Sequence, residues 1–265
     1  MTALLQALET SVLRRHPGME LLGGGLLVLL LAAPFAVATG ADQRYLAVVL
    51  VLYALLATLV WQTWPGAQEA ARSGGEWRHW CGLSWLSLGP ANRVTLVRAL
   101  LMILVLSALP FPVWAAQQAW ALAGLSLLAL SLDGLDGWVA RRTGSVSAYG
   151  ARFDMEVDAA FIMGLALLLV VLERAGIWVL ALGLMRYAFV LAGWRWCWLN
   201  QSLPPSFRRQ FVCVWQVATL LACMPPWLPA WASVSALAVA LVLLTVSFLT
   251  DVIWLYRQQG QSESP

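Results

Sequence analysis

Residues 133–158, "DGLDGWVARRTGSVSAYGARFDMEVD", decide how this chain is read. They hold Asp133, Asp136, Asp154 and Asp158, four of the six aspartates of a 265-residue protein that is 61% hydrophobic and 11% charged. On either side the sequence turns apolar for long stretches. An ionised carboxylate near the centre of a bilayer costs about 3 kcal/mol or more, so a concentration of them there needs a physical reason.

Working outward, a mean hydropathy of +0.77 and 16 tryptophans exclude an ordinary soluble domain. Apolar runs of spanning length recur at 21–39, 45–64, 92–109, 119–141, 152–172, 176–194, 209–224 and 232–254. The fourth reaches that length only if its helix continues through Asp133 and Asp136. The seventh is stopped by Pro225 and Pro226. Unbroken apolar runs point to helices rather than a barrel, because each span must satisfy its own backbone in lipid. The expectation is an all-α integral membrane protein with eight transmembrane helices.

Arginine sets the orientation, since lysine is absent. With the N-terminus inside, the cytoplasmic segments hold 12 arginines and the outer loops only Arg44 and Arg174. Both termini and the aspartate stretch are therefore expected on the cytoplasmic side of a membrane of the bacterial inner type. The net charge of +3 is explained by this bias and calls for no nucleic-acid partner. The first span reads as an uncleaved anchor, its apolar run being too long for a signal peptide. Cys81, Cys197, Cys213 and Cys223 lack metal-ligand spacing and read as apolar filler. Residues 67–89, with Trp77, Trp80 and Trp85, suggest a short amphipathic helix lying in the interface. Gly23-Gly24-Gly25 suggests close helix contact.

At helical spacing Asp133, Asp136, Gly137, Ala140 and Arg141 share one stripe, and Asp154 and Asp158 share a face of the next helix. Glu156 points the other way. A short loop joins the two helices, so the four carboxylates can meet at similar depth. Together they repel one another unless cations neutralise them. Hard oxygen ligands on rigid helices suit two divalent ions, Mg²⁺ or Mn²⁺, whose shells substrate phosphates usually complete. Gly137 and Ala140 leave room beside the ions, and Arg141 supplies positive charge. The residues alone thus describe a diphosphate-handling site in a membrane.

Asp133-x-x-Asp136-Gly137-x-x-Ala140-Arg141, eight residues, then Gly150-x-x-x-Asp154-x-x-x-Asp158 resembles the CDP-alcohol phosphotransferase (phosphatidyltransferase) signature at every fixed position and gap. "PANRVTLVR" (90–98) resembles the Pro-Asn-x-x-Thr-x-x-Arg start of that family's first core helix. Ala91 interrupts it, leaving Asn92, Thr95 and Arg98 in register. The resemblance implies a six-helix core over 90–256. A two-helix hairpin (1–66) and the interfacial helix (67–89) would precede that core, and a polar cytoplasmic tail (257–265) would follow it. It also implies transfer of a phospho-alcohol unit from a CDP-linked substrate to a hydroxyl, with CMP released. Asp133, Asp136 and Asp154 would ligate metal, and Asp158 would ligate metal and act as general base. Asn92, Thr95, Gly137, Ala140, Arg141 and Gly150 would line the nucleotide side.

Arg186, alone in the body of its span, is a functional candidate for an anionic acceptor or lipid phosphate, as are Arg208 and Arg209. Asp251 reads as a solvated helix end. The implied reaction passes the phosphatidyl group of CDP-diacylglycerol to a small alcohol such as glycerol 3-phosphate. The alternative passes a polar phospho-alcohol to a lipid hydroxyl, as choline and ethanolamine phosphotransferases do. An aromatic prenyltransferase should separate its aspartate motifs, and an ion-coupled transporter needs no fixed glycine spacing. Implied partners are the CDP-linked lipid or alcohol, membrane lipids and, as is common in the family, a second copy of the chain.

Overall fold

The computed structural model describes residues 17–63, 89–143, 148–200, 204 and 206–262, and every regular element among them is helical. In chain order these are α1 (Pro17–Thr39), α2 (Gln43–Thr63), α3 (Gly89–Leu106) and the short α4 (Pro112–Gln117). They continue as α5 (Ala119–Thr143), α6 (Ala148–Val171), α7 (Ala181–Arg195), α8 (Phe207–Cys223) and α9 (Ala230–Ser262). Single 3-10 turns occupy Ile177–Leu180 and Cys197–Asn200.

The long helices fall on the apolar runs, and α5 does continue unbroken through Asp133 and Asp136. Among the described residues, four segments are long and apolar enough to cross a membrane: Glu20–Thr39, Gln43–Thr63, Ile177–Arg195 and Ala230–Gln258. Ala119–Asp133 is a shorter apolar stretch. Outside these spans, α3 and α8 carry arginines, α5 and α6 carry arginines and aspartates, and α8 is only 17 residues long. The interfacial helix expected over 67–89 lies outside the described residues up to 88. α9 runs on to Ser262, into the stretch expected as a polar tail.

Exposed side chains carry the membrane signal. Leu22, Leu26 and Leu30 on α1 recur every fourth residue, and Val239, Val242, Val246, Leu249 and Ile253 make a stripe along α9. Contiguous exposed apolar faces of that extent suit lipid rather than water.

The chain divides into two compact units. One comprises Met1–Ala108 with Leu125–Val157, the other Leu109–Gly124 with Asp158–Pro265. In the first, α1 and α2 meet through glycine, as the three-glycine run suggested. A Cβ at Gly24 would lie 3.0 Å from the Tyr53 hydroxyl oxygen, and one at Gly25 3.1 Å from Cε1 of that ring. The Tyr53 hydroxyl donates to the Leu21 carbonyl. The same hairpin is fastened to α3 at two points. Fully buried Tyr45 donates to the Leu104 carbonyl at 2.8 Å, and Arg93 pairs with Glu20 at 2.8 Å. The helix carrying Arg98 is thereby held from both ends.

In the second unit α7 packs against α6 where Gly183 faces Met163, and a Cβ there would sit 2.8 Å from the Met163 Cα. Buried Gln216 on α8 donates to the Leu182 carbonyl at 3.0 Å. Arg174, in the turn after α6, donates to the carbonyls of Cys223, Pro225 and Leu228, binding up the chain that follows α8. Gly183→Ala should cost about 1–3 kcal/mol, because backbone cannot move aside as a flexible side chain can. Gly124→Ala meets nothing within 4 Å and should be neutral or slightly stabilising, since alanine is the better helix former. Melting temperatures of the two variants in one detergent check this contrast.

Candidate metal centre

Three helices contribute. The stretch of α5 that begins at Leu125 carries Asp133, α6 carries Asp154 with Asp158 one turn further on, and α3 carries Arg98. One carboxylate oxygen from each of Asp133, Asp154 and Asp158 lies within 4.8 Å of the other two. The convergence expected from helical spacing is therefore present for these three. At that separation each pair of ionised carboxylates repels by about 3 kcal/mol at an effective dielectric constant of 20. A compensating positive charge is required.

Part of it is built in. Arg98 is completely buried, while the side chains of Asp133 and Asp154 remain 40% and 35% exposed. Its Nη1 donates to Oδ1 of Asp133, and its Nη2 donates to Oδ1 of Asp154 at 2.5 Å. The guanidinium so bridges carboxylates from two helices, and both carboxylates stay partly exposed. That a full positive charge settles here bears directly on whether a metal fits. The cluster attracts cations, its donors are hard oxygens on rigid helices, and one arginine leaves a three-carboxylate group net negative. The residues suit Mg²⁺ or Mn²⁺.

The remaining expected site residues divide as follows. The side chains of Asn92, Asp136, Gly137, Ala140, Arg141 and Gly150 lie outside the described part of the structure. Thr95, one turn before Arg98, is buried. Glu156 is exposed and outside the carboxylate group, in line with its expected direction. Arg186 lies half-buried on α7 in the second unit.

Arg208 and Arg209 open α8 close to an acid. Arg208 donates to Asp251 at 2.5 Å and to the Ser247 hydroxyl and carbonyl at 2.5 and 2.7 Å. Arg209 lies 3.8 Å from Asp251 and donates to the Pro204 carbonyl. The expectation that Asp251 is a solvated helix end is overturned, since its side chain is only 14% exposed and pairs with both arginines, offsetting one of their two charges. A groove of about 450 Å³ lined by Glu20, Gly23, Gly24, Arg93 and Leu96 lies between α1 and α3, lacking the carboxylate cluster.

In the sequence Arg98 enters only as a matched position of the Pro-Asn-x-x-Thr-x-x-Arg resemblance, with no role attached; an arginine in the body of an apolar run is a further signal, pursued only for Arg186.

A family model described as CDP-alcohol phosphatidyltransferase matches residues 89–246, more than half of the chain. The match opens at the first residue of α3 and leaves α1 and α2 outside it. Neither a curated protein nor a solved structure matches the chain.

Proposed function

Because this chain belongs to the CDP-alcohol phosphatidyltransferase family, we propose that it moves the phosphatidyl group of CDP-diacylglycerol to a small soluble alcohol and releases CMP. The observation that carries the reading is the convergence of Asp133, Asp154 and Asp158 beside a buried arginine. Asp133, Asp136, Asp154 and Asp158 would hold two divalent ions, Mg²⁺ or Mn²⁺. When bound, such ions neutralise diphosphate charge and lower the pKa of a nearby hydroxyl.

The chain's own residues do the rest. Asp158 takes the proton of the acceptor hydroxyl as that oxygen attacks the phosphorus bearing the lipid. The bond from this phosphorus to the bridging oxygen breaks, and CMP leaves with the electron pair. Gly137 and Ala140 keep the stripe beside the carboxylates low enough for a nucleotide. Arg141 meets its phosphate charge, and Asn92, Thr95 and Gly150 complete the nucleotide side. Arg186, Arg208 and Arg209 favour an anionic acceptor of the glycerol 3-phosphate kind, for which Arg208 would exchange its contact with Asp251. The arginine bias sets the site towards the cytoplasm, with α3 to α9 as the catalytic core and α1 and α2 as an added hairpin.

The test is CMP release by purified protein with Mg²⁺ and CDP-diacylglycerol, screened across soluble alcohols. Release that depends on one class of alcohol is expected. Turnover of a soluble CDP-alcohol onto diacylglycerol, or of no CDP-alcohol at all, overturns the assignment.

A further inference from the structure

We propose that Arg98 is a positioning residue of the metal centre, a fixed cation that holds Asp133 and Asp154 in register whenever no metal is bound. The inference rests on the metal-binding part of the reading above and does not depend on the substrate. Three observations support it.

The first is burial. Arg98 is 0% exposed, and an arginine cannot shed its charge, so it survives there only against fixed anions. The second is geometry. Two nitrogens of one planar fork reach carboxylates 35 and 56 residues away in sequence, on different helices. That arrangement sets the spacing between α5 and α6 at the height of the site, which a single-point ammonium would not do. The third is the division of exposure. Arg98 is sealed while both carboxylates stay partly exposed, and each bond to Arg98 uses one oxygen, Oδ1. A second oxygen on each remains for an incoming ion. Arg98 and a divalent ion held by this cluster would therefore share the same two carboxylates. Each relieves the same repulsion.

The consequence is measurable without turnover. Melting temperatures of wild type, Arg98→Met and Arg98→Lys are compared in EDTA and in saturating Mn²⁺, on full-length protein in detergent. Arg98→Met should melt well below wild type in EDTA and recover much of the loss with Mn²⁺. Its metal-induced rise should exceed the wild-type rise by roughly 5 °C or more. Arg98→Lys keeps the charge without the fork and should fall between the two. A buttress that only fills space would lower both temperatures equally, and equal metal-induced rises would overturn the proposal. If Arg98→Met cannot be obtained folded, Arg98→Lys decides, and a wild-type rise in it counts against the role. A wild-type protein that Mn²⁺ does not stabilise at all would instead sink the metal-centre reading itself.

Discussion

Asp158→Asn should lower CMP release by about 10³-fold, within the range expected when a general base is removed. Asparagine keeps the shape and one oxygen of the aspartate but cannot take a proton at neutral pH. Asp158 follows Asp154 by one helical turn and lies within the carboxylate group, so it shares the charge of the site. The loss should fall mainly on kcat, because asparagine keeps one oxygen for a metal ion while the missing proton transfer occurs only as the acceptor attacks. Wild-type kcat in this variant would remove Asp158 from the chemistry.

Asp154→Ala should have the broader effect, reducing both activity and stability. It removes a carboxylate from the cluster and leaves the buried Arg98 with fewer counter-charges. Breaking a fully buried pair in this way costs about 3–5 kcal/mol. A figure nearer 2 kcal/mol is expected here, because Asp154 is 35% exposed and water screens part of the interaction. Glu156→Ala, two residues away but exposed and outside the cluster, should stay within about 0.5 kcal/mol of wild type. Thermal unfolding in metal-free buffer separates the two. Equal stability of Asp154→Ala and Glu156→Ala would mean that Arg98 does not depend on the acid.

These residues differ in how far they could be read in advance. Asp133, Asp154 and Asp158 were legible because helical period and a short connection bring them together, both of which are local properties. Gly24 and Gly25 were legible for a similar reason, as small residues mark where a neighbour approaches. Arg98 was legible as a motif position but its pairing was not, because its partners lie 35 and 56 residues on and meet it only in the folded chain. Asp251 failed in the same way. It looked like a solvated end until a partner 43 residues earlier, Arg208, covered it. Hydropathy finds helices that face lipid on most sides, so it picks out α1, α2, α7 and α9. It passes over α3, α5, α6 and α8, which carry charged residues and of which α8 is only 17 residues long.

The central claim is that carboxylates from α5 and α6 together bind divalent metal. Electron paramagnetic resonance of Mn²⁺ titrated into purified wild type, Asp154→Ala and Glu156→Ala tests it most directly. Two bound ions with a spin-coupled spectrum are predicted in wild type and Glu156→Ala, with both the coupling and the tight binding lost in Asp154→Ala. A wild-type protein that leaves Mn²⁺ free in solution, or an Asp154→Ala variant that binds it unchanged, would contradict the account.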